Sequence, residues 1–236
     1  MHTWVVNAYV INLANRTDRW KSVMLQGDDL GLNILRIEAV TTSDVNIASE
    51  QYVAPGVAAT WKSHQLAMKT FLESDDKYGL ILEDDFLLSK SWKEFNFEIV
   101  EHVQADFLQI GYLITSPLDY CKYVLDEVWD YSIKTLRGIA RLPFLGGLSV
   151  FKRFLILEQQ GIPWGIVPNN IRAGGQSYIV SRDFARASAQ MNTPVFNTTD
   201  CFFISLGDVR TFRMMRTRKN FIKQTNSSTS VNQRYV

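Results

Sequence analysis

The sequence predicts an α/β domain built on a mostly parallel mixed sheet flanked by helices. Short apolar runs of strand length alternate repeatedly with amphipathic helical stretches between Ala8 and Gly111. Two of those runs, Ala8–Leu13 and Tyr78–Leu82, lead directly into polar or charged residues. Ligands of such sheets gather outside the carboxyl ends of strands. At 236 residues and 46% hydrophobic, the chain also has ample material for a substantial core.

Composition removes several classes. A net charge of +1 gives no global attraction to nucleic acid or to an anionic membrane. The two cysteines, Cys121 and Cys201, lie far apart without ligand spacing, which argues against a disulfide scaffold or zinc site and suits a reducing compartment. The start of the sequence lacks a basic segment followed by a sustained apolar core, and no run of about 18 apolar residues could span a bilayer. The expectation is a soluble, cytoplasmic protein without stable membrane insertion. There is no internal repeat, P-loop, G-x-G-x-x-G or G-x-S-x-G.

Taken in order, Ala8-Tyr9-Val10-Ile11-Asn12-Leu13 reads as a buried strand. It feeds a turn containing Arg16, Asp18 and Arg19, then a helix marked by Trp20, Val23, Met24 and Leu30 and stopped at Gly31. A strand, a turn and a helix N-terminus commonly hold phosphate, and Arg16 and Arg19 are spaced to assist. The same arginines equally suit solvation of a helix start. Leu35–Val40 alternates as a second strand, and Thr41–Gln51 is polar loop. From Gly56, apolar positions at Val57, Trp61, Met68 and Phe71 predict a helix to about Glu73. His64 lies on its apolar face, as either a hydrogen-bonded core residue or a ligand contact.

Tyr78-Gly79-Leu80-Ile81-Leu82 is a buried-strand pattern that ends in Glu83-Asp84-Asp85. Three adjacent carboxylates repel one another and call for a positive partner. A hard divalent cation takes such oxygens, and a solvated acidic turn is the alternative. Beyond it, Ser91 with Glu94 has the form of a capping box, opening a helix with Trp92, Phe95, Ile99 and Val103 on one face. Asp106–Gly111 is a further strand.

Residues 112–172 are rich in aromatics, glycine and proline, with local positive charge at Arg137, Arg141, Lys152 and Arg153. They read as an insertion of variable loops and short helices, facing an acceptor or packed on the sheet. Gly174-Gly175-Gln176-Ser177-Tyr178-Ile179-Val180-Ser181 is a strand preceded by glycines that permit close backbone approach. Ser181 caps a helix over Arg182–Met191. A turn-rich stretch leads to Asp200, and Val209–Met214 alternates again as a strand. Arg210, Arg213, Arg216, Arg218, Lys219 and Lys223 form a basic cluster, a solvated face or an anion site. One domain over 1–224 is expected, followed by a polar tail at 225–236.

Together and in register, these segments resemble the family 25 glycosyltransferases, which include bacterial lipopolysaccharide galactosyltransferases and relatives of the collagen galactosyltransferases. Val10-Ile11-Asn12-Leu13 with Arg16, Asp18 and Arg19 is similar to the family's opening "VINL…R.DR". Glu38-Ala39-Val40 matches its "A-V" strand, and Ser63-His64 with Glu83-Asp84-Asp85 its "SH…ILEDD" core. Gly174, Tyr178 and Ser181 follow "GT.AYLIS", and Asp200 falls at its "P.D" aspartate. The chain departs from the pattern at Gly56-Val57-Ala58-Ala59-Thr60, at Gly175 and at Thr198-Thr199.

The resemblance implies a GT-A-like, Rossmann-like nucleotide-binding fold. It also implies inverting transfer of a hexose, galactose or glucose, from a UDP-sugar with a Mn²⁺ or Mg²⁺ cofactor. On that basis Glu83 and Asp85 take the cation, and Asn12, Arg16, Arg19, His64, Asp84, Gly174 and Tyr178 take the nucleotide sugar. Asp200 is the base. The implied acceptor is a bacterial surface glycan, lipopolysaccharide, with the enzyme cytoplasmic or at the inner face of the membrane. A hydroxymethylated base of phage DNA is the alternative acceptor, suggested by Arg210 to Lys223. A non-catalytic sugar- or nucleotide-binding module is the alternative class, suggested by residues 57–60.

Overall fold

The computed structural model describes residues 7–46, 52–113, 165–209 and 211–225. Contacts divide the chain into one unit of Met1–Leu113 with Val167–Val236 and a second of Ile114–Ile166. Of the expected insertion, only 112–113 and 165–172 are described, so Cys121, Arg137, Arg141, Lys152 and Arg153 lie outside. So do Arg210 and residues 226–236.

The alternation read from the sequence becomes β1 (Asn7–Asn12), α1 (Thr17–Leu25), α2 (Gly27–Leu30), β2 (Asn33–Glu38), α3 (Pro55–Glu73) and β3 (Tyr78–Glu83). Then come β4 (Phe86–Leu88), α4 (Glu98–His102), β5 (Phe107–Gly111), β6 (Ile166–Pro168) and β7 (Ser177–Ser181). The last described elements are α5 (Arg182–Ser188), α6 (Thr199–Val209), β8 (Met214–Thr217) and β9 (Ile222–Gln224). Seven strands form one sheet in the order β2-β1-β3-β7-β5-β8-β6. β1 is parallel to β2 and β3, and β5 to β8, whereas β7 runs antiparallel to β3 and β5. The architecture is therefore α/β with a mostly parallel mixed sheet, compatible with a Rossmann-like fold.

From β1 the chain steps outward to β2 and then back past β1 to β3. Right-handed crossovers in opposite directions put their helices on opposite faces. α3 covers the face carrying Tyr9, Ile11, Ile81, Phe107, Tyr178 and Val180, joined there by Phe184 of α5 and Phe203 of α6. Alternation along the strands sends Ala8, Val10, Leu80 and Leu82 to the other face, where they are also fully buried. The parallel strands β1, β3, β5 and β8 end at one edge of the sheet, where β7 begins. A separate ribbon pairs β4 with β9, antiparallel, Phe86 opposite Gln224.

Helix punctuation follows local chemistry. Pro55 opens α3, where a missing N–H costs nothing. Gly31, at φ 69°, ends α2 in the left-handed conformation that glycine adopts freely. Ser181 caps α5 by accepting from the Phe184 amide at 3.2 Å, although that helix stops at Ser188 instead of Met191.

Three expectations are corrected. Ser91 makes no side-chain cap, and the foreseen helix breaks into a short 3-10 turn and α4, because Phe95 is extended. Stacking explains the break: Trp92 and Phe95 rings lie 5.4 Å apart, with Phe97 and Phe221 edge-on to Phe95. Asn96 then accepts from the Glu98 amide at 2.9 Å, restarting the helix. The true capping box is at Thr41 and Asp44. The strand expected at Val209–Met214 starts only at Met214, since Val209 ends α6. The apolar run Cys201–Ile204 is part of that helix.

Gly79 shows how closely α3 packs. A Cβ there would lie 2.7 Å from the ring of fully buried Phe71. Gly79→Ala is expected to lower stability by about 1–3 kcal/mol through overpacking, measured by urea unfolding with an unchanged slope. Unaltered stability would show that the ring yields freely.

Candidate functional site

The site builds from β1 and β3, adjacent and parallel, whose carboxyl ends present Asn12 and the acidic turn. Asn12 is buried and donates from Nδ2 to Asp84 Oδ2 at 2.6 Å and to the Arg16 carbonyl at 3.2 Å. Arg19 of α1 donates from Nη1 to Asp84 Oδ1 at 2.7 Å and stands 3.5 Å from Asp85 Oδ2. Both Asp84 oxygens are therefore engaged. Asp85 Oδ2 also accepts from Gln224 Nε2 at 2.9 Å. Its other oxygen, Oδ1, is buried without a partner, as are Nε and Nη2 of Arg19. Buried polar atoms are normally satisfied, so an unpaired carboxylate oxygen beside an unpaired guanidinium edge calls for a ligand.

Arg16 is at the N-cap of α1, where its guanidinium grips Asp18 at 2.9 Å and holds that carboxyl down at about 2. The charges of Asp84 and Asp85 also reach it. Of the two arginines, Arg19 enters the acidic turn and Arg16 borders it.

Glu83 enters a different network. His64 of α3, 1% exposed, makes contact through Nε2 with Glu83 Oε1 at 3.3 Å and through Nδ1 with the Tyr178 hydroxyl at 2.8 Å. A carboxylate only accepts, so in the neutral ring Nε2 carries the hydrogen and Nδ1 accepts from tyrosine. Burial, with the charge of Glu83 added, raises the Tyr178 hydroxyl well above the usual phenol range, keeping it a donor. Ser63 braces this part of α3, accepting from the Val40 amide at 2.9 Å.

Asp200, in the first turn of α6, accepts from the Gly175 amide at 2.5 Å. Burial raises its carboxyl above the ordinary range, reinforced by the charge of Glu83 and opposed by the Gly175 and Gly174 amides. The glycines allow close approach to a neighbour here: at Gly174, φ 109°, a Cβ would meet the Leu113 amide at 2.7 Å. At Gly175 it would meet Asp200 Oδ1 at 3.1 Å. Asn12, Arg19, Asp84 and Asp85 thus form one cluster; His64, Glu83, Tyr178 and Asp200 form another beside it.

Two contributors escaped the sequence reading. Arg36 of β2 donates from Nε to Asn12 Oδ1 at 2.9 Å, with its guanidinium over the Trp20 ring at 5.0 Å. Gln224 grips Asp85, and the adjacent Thr225 amide donates to the Asp85 carbonyl at 2.8 Å. Neither carries a local signal, since each works through strand register. The basic cluster, by contrast, is not one exposed face: Arg216 is buried against the Asn170 carbonyl, and Lys219 pairs with Glu94.

Among the described residues, no group of three His, Cys, Asp or Glu side chains forms a self-sufficient metal cage. One free carboxylate oxygen fits an ion that completes its shell with substrate phosphates. Among the described residues, no helix is long and apolar enough to cross a membrane. No protein-family model and no curated protein matches the chain, so function must be argued from the site.

Burial, reinforced by Glu83, pushes the Asp85 carboxyl up to about 6 from 3.8, against Gln224 and Arg19. A carboxyl raised in the fold favours its neutral form there. Its penalty is present above pH 6 and is relieved as pH falls through 6 toward 4. Asp85→Asn should therefore raise stability at pH 7.5 by on the order of 2 kcal/mol and leave it nearly unchanged at pH 4. Thermal melts at the two pH values check this, and equal shifts at both would refute it.

Proposed function

We propose that this chain is a GT-A-like glycosyltransferase that moves a hexose, galactose or glucose, from a UDP-sugar to an acceptor hydroxyl with inversion. One observation carries the reading: at the carboxyl ends of adjacent parallel strands, Asp85 and Arg19, 3.5 Å apart at Oδ2 and Nη1, each keep buried polar atoms without a partner, Oδ1 of Asp85 and Nε and Nη2 of Arg19. A cation and a phosphate are complementary to that pair. The guanidinium edge suits two phosphate oxygens. Asn12, fixed by Arg36, and Arg16, whose carbonyl accepts from Asn12, flank the same carboxylates and would meet the nucleotide.

Asp85 would hold Mn²⁺ or Mg²⁺ through Oδ1. A bound cation supplies Lewis-acid stabilisation of the charge that accumulates on a departing diphosphate. Arg19 adds fixed positive charge to the same oxygens. Asp200 accepts the acceptor hydroxyl proton as that oxygen bonds to the anomeric carbon, while the carbon–oxygen bond to the diphosphate breaks and UDP leaves. The backbone amides at Gly174 and Gly175 hold the Asp200 carboxylate for this role. A bacterial surface glycan is the proposed acceptor class; among the described residues, Arg213 to Lys223 do not form a single basic face that would favour DNA over it, since Arg216 is buried and Lys219 pairs with Glu94.

Thermal shift with UDP-galactose and UDP-glucose tests the donor. A ligand that binds only the folded state raises the melting temperature; the rise should require Mn²⁺ or Mg²⁺ and vanish in Asp85→Ala. Stabilisation that persists in excess chelator would sink the cation role, and none with either sugar would sink the donor assignment.

Asp200→Asn should keep the donor-induced shift while transfer or donor hydrolysis falls about a hundredfold or more. Full turnover in that variant would exclude Asp200 as the base.

A further inference from the structure

Glu83 and Asp85 are neighbours in the acidic turn, yet they enter separate hydrogen-bond systems. Strand alternation explains the division. Gly79, Ile81 and Glu83 share the face of β3 covered by α3, and Ile81 pairs in register with Tyr178. Glu83 extends that face past the core and meets His64. Asp84 extends the opposite face and meets Asn12, which follows Ala8 and Val10 on β1. Asp85 lies past the strand end and is taken by Gln224 and Arg19.

Glu83 is also the exposed member. Its side chain is 30% accessible, against 2% for Asp85. Along the backbone it stands between the two other functional carboxyls: Asp85 is two residues on, and the Glu83 amide donates at 2.8 Å to the carbonyl of Gln176, the residue after Gly175, whose amide holds Asp200. On the UDP-hexose reading above, on which this step rests, the reacting sugar must span that interval. Its anomeric carbon is bonded to the diphosphate on one side and attacked by the acceptor on the other.

We infer that Glu83 binds hydroxyl groups of the transferred hexose and sets donor-sugar preference, with His64 and Tyr178 as positioning residues, rather than ligating the cation. A carboxylate accepts hydrogen bonds from two hydroxyls at once. A site built on such bonds rejects a sugar whose hydroxyls do not meet it, because a polar group is then left unpaired. His64, held by the Tyr178 hydroxyl at Nδ1, restrains one oxygen of the carboxylate and leaves the other for the sugar.

Calorimetric titration with UDP, UDP-galactose and UDP-glucose in the presence of Mn²⁺ separates the possibilities. Glu83→Gln, close in shape, should weaken the preferred UDP-hexose about ten- to a hundredfold while the Kd of UDP stays within about twofold. His64→Ala should move the same ratio in the same direction and add little in the double variant. Equal weakening of UDP and UDP-hexose would return Glu83 to the cation and diphosphate. No change in either would remove it from the site. If the wild-type protein bound none of the three, the UDP-hexose reading would fail and take this one with it, a result distinct from both others.

Discussion

Asp84 is the constraint on which this site depends. It is 8% exposed and spends one oxygen on Asn12 and the other on Arg19. A buried carboxylate stripped of one such partner costs several kcal/mol, so β1, the start of α1 and the end of β3 are tied to a single arrangement. Arg36 extends the tie to β2 through the side-chain oxygen Oδ1 of Asn12. β1, β2, β3 and the start of α1 are thereby held together by side chains, as well as by the backbone ladders between the strands. The unpaired atoms of Asp85 and Arg19 can remain unsatisfied only because their neighbours are so firmly placed.

The sheet does the sorting. Because successive side chains alternate across a strand, a tripeptide of like charge need not act as one group. β3 sends Glu83 toward α3 and Asp84 toward α1, and the turn gives Asp85 to the ribbon of β4 and β9. Mutual repulsion is thus spread over three sets of partners. The residual strain is visible at Asp85, whose carboxyl burial pushes toward neutrality.

Much of this was legible because it is local. The spacing of Trp61, His64, Met68 and Phe71 marks α3, and the burial of all four on one core confirms the period. Ser181 as a cap and Gly31 as a stop depend on a few adjacent residues. The Asn12–acidic-turn juxtaposition followed from strand ends alone. Ser91 and Glu94 misled because aromatic stacking between Trp92 and Phe95 outweighed a cap of about 1 kcal/mol. Arg36 and Gln224 had no signal, since their partners lie 24 and 139 residues away. The alternating pattern around Arg210 to Arg213 named a strand too early because α6 was unrecognised before it. Alternation alone puts Glu83 and Asp84 on opposite faces, but which partners wait on each face is set by the topology, which periodicity does not supply.

The ribbon of β4 and β9 has a consequence for how the protein comes into being. Gln224 and the Thr225 amide reach back to Asp85 across most of the chain's length. Synthesis proceeds from the amino end, so a nascent chain can form β1, α3 and β3 while the acidic turn still lacks its last two donors. Contacts of such sequence separation form late and slowly. A polypeptide halted short of residue 224 would carry Asn12, Arg19 and Asp84 but lack the Gln224 side chain and the Thr225 amide that hold Asp85.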